Sequence, residues 1–531
     1  MIEARVLDFN QPQHRSGERQ RWAAFYESRL RQQLTWAADY VDSHEPTDTM
    51  GHLLSFLTLL QQAQRNSHVQ AEMLSLIVAL HPWPAKWGYW QIWEDTLYYA
   101  IQVCQQLDRP ELKARFQAAL ADTLFHTGRL AASIQHARDA AELAERYGAT
   151  SCFASAAETI VYALRALSRH EDANRELAAL SAFLLRPEVH ADLSQTEKAE
   201  AAARVAWLRL NASPPSLHPQ EALETIDRAI GQIETISRPE MPALANGHNL
   251  RGIILWRQDD YGAAAKAIET AQEMYAEIGD TFAEASLAGN LGIVYWSMGD
   301  FRRAENVLQR CIATTEHLNA RWRMTKAIRV LAAVYLGRGR LHQALRYCER
   351  HLGLATELGE VAEIAGSKGN RGTVRLHLGE YDLARRDFEE ELEIEGDATH
   401  IGVGCSLANL SRCYAHLGDR TRAIALAERA WELAELNDSP RLRIVALRCL
   451  SEYQPMLQRR ADLHRALVLA RQHARPFDEA ACLYDMSITG TDPSEQIRMW
   501  QQGARLLREM GAISWLKGCT REAPPYLPLL V

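Results

Sequence analysis

No proline occurs between Pro242 and Pro440, so a stretch longer than a typical domain contains no residue that must break a helix. There is no C-x-x-C pair. The nine cysteines (Cys104, Cys152, Cys311, Cys348, Cys405, Cys413, Cys449, Cys482 and Cys519) are odd in number. That excludes an obvious disulfide framework and predicts reduced, mostly buried thiols. No apolar run approaches the roughly 20 residues a membrane helix needs. The start, Met1-Ile2-Glu3-Ala4-Arg5, lacks the basic and apolar segments of a signal peptide. A cytoplasmic location with no membrane association is expected. An excess of basic charge is missing as well. The net charge is -8 and no basic run occurs, which argues against nucleic acid as a partner. Lysine is scarce, at Lys86, Lys113, Lys198, Lys266, Lys326, Lys368 and Lys517, with arginine supplying the rest of the 59 basic residues. We read that as genome composition.

Catalytic signatures are also missing. The chain has no H-E-x-x-H, no G-x-S-x-G, no G-x-x-x-x-G-K-[ST] and no metal-spaced Cys/His set. Gly366-Ser367-Lys368-Gly369-Asn370 falls inside a helical pattern, so it is no phosphate cradle. Cys405 and Cys413 lie eight apart on one predicted helix, as packing residues do. No catalytic, cofactor-binding or metal residue is expected, and the chain is not read as an enzyme.

What is present is a repeat. Asn290-Leu291-Gly292-Ile293-Val294-Tyr295 is followed by Gly299-Asp300-Phe301 and Ala304. The pattern returns 40 residues on as Leu331-Ala332, Tyr335, Gly339-Arg340-Leu341 and Ala344. It returns again as Asn370-Arg371-Gly372, Gly379-Glu380-Tyr381 and Ala384, then as Asn409-Leu410-Ser411, Tyr414, Gly418-Asp419 and Ala423. Upstream copies are Gly252, Asp259-Asp260-Tyr261 and Ala264, then the weaker Gly128-Arg129-Leu130 and Ser168-Arg169-His170. Apolar residues at i, i+3, i+4 and i+7 make both halves of a unit amphipathic helices. Gly-Asp or Gly-Glu between them suits a helix end followed by a new N-cap. The small residues allow close helix approach. One such hairpin cannot bury its apolar face alone, so neighbours must stack.

The motif N-L-G-x-x-Y followed by G-D-F-x-x-A resembles the tetratricopeptide repeat, in a long variant similar to kinesin light chains and to the sensor arms of bacterial signal-transducing NTPases. The match runs from about 245 to 436, and more weakly over 112–180. Trp83 to Leu107, with Trp87-Gly88-Tyr89-Trp90 and Trp93, resembles the first hairpin of those arms, although such a tryptophan cluster also suits a core. The residues before it are too few for an NTPase domain. The expected fold is all-α, a right-handed superhelical solenoid of antiparallel helix pairs.

Four regions are expected. Residues 1–82 form an N-terminal helical capping region, loose to about residue 20. A helix then runs from Trp22 to Asp42, with Trp22, Phe25, Tyr26, Leu30, Leu34 and Trp36 as its apolar set. Residues 83–238 hold N-terminal repeats with an inserted loop at 213–219. Residues 239–475 hold the regular array. Residues 476–531 hold a closing helix, Ser494 to Met510, and the Pro-rich tail Ala523–Val531, which either docks or stays disordered.

In the family, the first helix of each hairpin lines a concave face. The resemblance transfers partner-binding positions onto Asn246, Asn249, Asn290, Lys326, Arg329, Asn370, Asn409 and Arg412. An Asn amide donates and accepts together, which suits a peptide backbone. It also suits bridging between neighbouring helices. Lys326 and Arg329, one turn apart, with Arg412 suit an acidic peptide or a plain solvated face. Trp256 and Trp296 are placed at the border of the same groove. The resemblance implies a scaffold or sensor that binds a partner peptide or helix. The alternative is a regulatory subunit acting in trans on an NTPase, protease or transcription factor in bacterial signalling or defence. Oligomerisation through solenoid ends is compatible with either.

Overall fold

A computed structural model describes residues 12–517, apart from 213–214, 237–239, 397, 399, 438 and 491. Among the described residues there are helices and no strand. The architecture is the all-α, right-handed superhelical solenoid of antiparallel helix pairs that the repeat predicts. Helical hairpins run from Pro110–His126 with Leu130–Tyr147 to Pro476–Thr489 with Pro493–Glu509. Apart from the short Pro187–Asp192, each helix of these hairpins packs on the one before and the one after, and first helices of adjacent hairpins also touch, as Thr281–Ser297 and Arg321–Gly337 do.

Local chemistry sets the hairpin turns. Asp260, Asp300 and Asp419 cap second helices by accepting from the backbone N–H of Ala263, Arg303 and Arg422 at 3.1, 3.0 and 3.1 Å. The preceding Gly299 and Gly418 adopt left-handed φ of 77° and 89°. Asp259 holds the same place at φ 62°, where the repeat elsewhere carries glycine. Gly292 permits a close helix approach, because a Cβ there would lie 2.5 Å from Leu308. Ala264, Ala304, Ala344, Ala384 and Ala423 are wholly buried in the return helices.

The N-terminal helix departs from expectation in two ways. It spans Pro12–Ser43, so helix begins before residue 20. Its predicted apolar set divides: Leu30 and Leu34 are buried, while Trp22, Phe25, Tyr26 and Trp36 are exposed, Trp22 at 70%. At about 100° per residue Trp22, Phe25 and Tyr26 fall on a separate stripe from the one facing Pro46–Ala63 and Gln70–Leu80, while Trp36 borders that face and meets Phe56 edge-on, with ring centroids 6.3 Å apart. The tryptophans of the next segment are core. Trp87, Trp90 and Trp93 are buried, and Trp83 stacks on Trp87 at 5.3 Å. A short helix, Pro187–Asp192, interrupts the array before Gln195–Leu210. The closing helix is Pro493–Glu509. The tail Ala523–Val531, Cys519 and Pro239 lie outside the described residues.

One feature has no counterpart in the repeat pattern: successive turns of the superhelix touch. Lys86 pairs with Asp280 at 2.5 Å. The hairpin turns at Gly88 and Gly128 rest on Leu318 and Leu358. Phe125 meets Trp322 with centroids 4.8 Å apart. The next layer repeats this arrangement. Asp259 accepts from His473, 3.1 Å away. Arg475 donates to the Tyr261 hydroxyl at 3.1 Å. Gly299 lies under Pro476 and Met510, and Gly339 under Ser514 and Trp515. In these pairs an early turn docks on a later turn of the chain.

Candidate functional site

The first helices of the hairpins carry the predicted positions, and the structure divides those positions into three groups. Asn246, Asn249, Asn290 and Asn370 are partly exposed. Asn290 donates its amide to the Asn249 carbonyl oxygen at 2.8 Å across adjacent hairpins. In either amide orientation that pair keeps one further acceptor on one residue and one further donor on the other. Asn370 occupies the same repeat position as Asn290, two hairpins on.

Lys326 and Arg329 meet a carboxylate from the chain itself. Glu363 accepts from Lys326 Nζ at 2.8 Å and pairs with Arg329 Nε at 3.2 Å, and His351 Nε2 lies 3.0 Å from its second oxygen. Burial pushes the Glu363 carboxyl up, but Lys326, Arg329 and His351 outweigh it and hold the group well below its ordinary value. Neighbouring Glu360, at the cap of Val361–Leu378, is raised to about 7 by burial against the partial opposition of Lys326. Both cations are therefore engaged by a carboxylate of the wall itself.

Asn409 and Arg412 do not reach the groove surface. Asn409 is 0% exposed and donates to Thr373 Oγ1 at 3.1 Å. Arg412 is 3% exposed and pairs with Glu452 at 2.5 Å in the next hairpin. Close packing of Ile401–His416 between its neighbours buries the face that is half open at Asn290. Both residues are bridges between helices, a correction to their transfer by motif.

The indoles near the groove are also engaged. Trp256 Nε1 donates to Ser297 Oγ at 2.8 Å. The Arg441 guanidinium sits over the Trp296 ring, 5.3 Å from its centroid, where one superhelical turn meets the next. Among the described residues no three His, Cys, Asp or Glu side chains converge as metal ligands would, and no helix is long and apolar enough to cross a membrane.

Motif transfer missed a cluster on the same inner wall. Arg257 lies eleven residues after Asn246, close to the same helix face. It sits over the Trp207 ring at 5.3 Å and donates to the Asn211 side chain. Arg165, from an earlier hairpin, donates to the Leu208 carbonyl at 2.8 Å. A basic residue in a helix's last turn is an ordinary sequence feature, so nothing in the pattern marked these two as neighbours.

Tetratricopeptide-repeat family models match residues 241–316 and 361–435, and a second such model matches 327–362. No curated protein sequence matches the chain. Among solved structures, a Rap protein complexed with competence and sporulation factor is similar over 67% of this chain and 96% of its own, at 15% identity and TM-score 0.51. The apo quorum sensor NprR of B. thuringiensis is similar at 14% identity and TM-score 0.46, over 65% of this chain and 95% of its own. A signal transduction ATPase with a tetratricopeptide repeat sensor from Pyrococcus horikoshii is similar at 13% identity and TM-score 0.45, over 69% of this chain and 52% of its own. The likeness to the Rap protein is one of fold.

Proposed function

We propose that this chain, a tetratricopeptide-repeat protein, is an interaction scaffold or sensor that receives a partner's extended peptide along the inner face of its first helices. The observation that carries this reading is the Asn249–Asn290 pair. Two half-open amides, joined to each other, present one acceptor and one donor at a fixed spacing. A peptide unit offers the complementary N–H and C=O. Asn246 precedes this pair on one wall, and Asn370 follows it two hairpins later. Curvature of a stacked solenoid makes such a wall long enough to hold several residues of a ligand. The Rap structure named above contains bound competence and sporulation factor, which motivates a peptide rather than a folded domain as the first ligand to try.

The test is selection from a random peptide library on the immobilised chain. Wild type is compared with an Asn249→Ala, Asn290→Ala double variant of unchanged helicity. Peptides that bind wild type and lose about tenfold or more in affinity on the variant support the reading, since each lost backbone hydrogen bond is worth about 1 kcal/mol. A library that yields no binder to wild type overturns it.

A further inference from the structure

We propose that the N-terminal helix forms the interface of a two-fold homodimer, in which Trp22, Phe25 and Tyr26 of each copy seat in the groove beside Trp36 of the other. This goes beyond the peptide reading and rests on a different part of the chain.

The helix Pro12–Ser43 is only partly covered by its own chain. Its buried residues begin at Leu30, and from Gln20 to Arg29 every residue except Glu27 is exposed. That is about three helical turns with little tertiary support. A helical stretch of that length is marginal in water, and packing ordinarily supplies its stability. The exposed residues do not suit a solvated face. Trp22, Phe25 and Tyr26 are each more than half open, and Trp22 meets Phe25 edge-on with ring centroids 6.0 Å apart. Their i, i+3, i+4 spacing is that of a seam between packed helices.

The same helix carries the counterpart. It packs more extensively on Gln70–Leu80 than on Pro46–Ala63. Between its later turns and Pro46–Ala63 a cavity of about 520 Å³ opens, with apolar Trp36, Leu54, Phe56 and Leu59 and uncharged Gln33 and Thr58 in its wall. No charged side chain lines it, which suits aromatic rings. Trp36 and Leu54 are more than half open, as is Met50, one turn before Leu54.

Stripe and groove belong to one helix, and their spacing is self-complementary. Trp22 and Trp36 lie seven residues either side of Arg29, toward one side of the helix at about 100° per residue. Antiparallel pairing of two copies about Arg29 brings Trp22 of each beside Trp36 of the other, and Phe25 beside Gln33. Both contacts form at once, which is the condition for an isologous interface. The two Arg29 side chains meet near the axis, and their long stems let the guanidinium groups turn to the wet rim. Four aromatics of this openness, with Met50 and Leu54, offer roughly 500 Å² per copy. That is the larger part of the about 800 Å² that a standard interface covers on each partner.

Sedimentation of the full chain across a concentration series tests this. Wild type is expected to approach twice the mass of one chain. A Trp22→Ser, Phe25→Ser variant removes the stripe, and Leu54→Glu places a charge in the groove. All three positions are exposed, and unchanged helicity and melting confirm that each variant folds. Each variant alone is expected to dimerise about 30-fold or more weakly, as loss of central aromatic anchors implies. Mixed in equal amounts, the two variants keep one intact contact per pair, with the stripe from one chain and the groove from the other. The mixture should therefore dimerise more tightly than either variant alone. A wild-type monomer at every concentration overturns the proposal, and so does a dimer that both variants leave unchanged. A mixture no tighter than its components overturns the two-fold arrangement. None of these outcomes bears on the peptide reading, so the two stand or fall separately.

Discussion

The Trp87 indole N–H donates to the Gly279 carbonyl at 3.0 Å across 192 residues of sequence. Its neighbour Lys86 pairs with Asp280 at the same turn. Together they fasten the first superhelical turn to the second.

Replacing this tryptophan separates the hydrogen bond from the packing. Trp87→Phe keeps most of the ring volume and is expected to cost about 1 kcal/mol for the lost bond. Trp87→Ala also opens a cavity and is expected to cost about 3–5 kcal/mol. Urea unfolding followed by circular dichroism checks both. Equal losses for the two variants would mean that the hydrogen bond carries the whole effect.

Two glycines with the same backbone conformation are expected to respond differently. Gly339 and Gly379 adopt φ of 71° and 80°. A Cβ at Gly379 meets nothing within 4 Å, whereas one at Gly339 comes within 2.9 Å of Ser514. Gly379→Ala should cost only the left-handed strain, about 1–2 kcal/mol. Gly339→Ala should cost about 1–3 kcal/mol more through overpacking. Hydrogen exchange in Pro493–Glu509 should rise for the second variant alone. Matching exchange in the two variants would show that the closing hairpin does not depend on this contact.

Stability should fall across neutral pH because of Glu391. Burial is the largest cause of its shift and raises its pKa to about 8 from an ordinary 4.5, with the Ser406 hydroxyl opposing. Its carboxyl lies over Gly369, 2.4 Å from where a Cβ would stand. A raised carboxyl pKa means that the folded state holds the proton more tightly than the unfolded one. The stabilisation is therefore complete below about pH 4.5 and lost as pH rises through about 8. Glu391→Gln removes this titration, so its melting temperature should change less between pH 5.5 and 8.5 than that of wild type. A parallel pH profile for the two proteins would refute the assignment.

The groove is partly legible in the amino-acid sequence. Repeat position alone puts Asn249 and Asn290 on adjacent first helices, where the structure joins them by a hydrogen bond. The fate of Lys326 and Arg329 is not legible there. Glu363 reaches them from the next hairpin, and its sequence position resembles that of any surface glutamate. Asn409 shares its repeat position with Asn290, yet tighter packing around Ile401–His416 hides it.

The sequence by itself determined the helices, their caps, the small residues at each crossing and the stacking of hairpins into a solenoid. These follow from interactions within a repeat or between neighbours, whose geometry recurs with the period. Only the tertiary structure decided how tightly the superhelix winds. Trp87 meeting Gly279, Phe125 meeting Trp322 and Trp515 donating to the Gly337 carbonyl at 2.9 Å are contacts between turns far apart in sequence. Small rotations per hairpin accumulate over many hairpins. Whether two turns touch is therefore a property of their sum, and no single repeat encodes it.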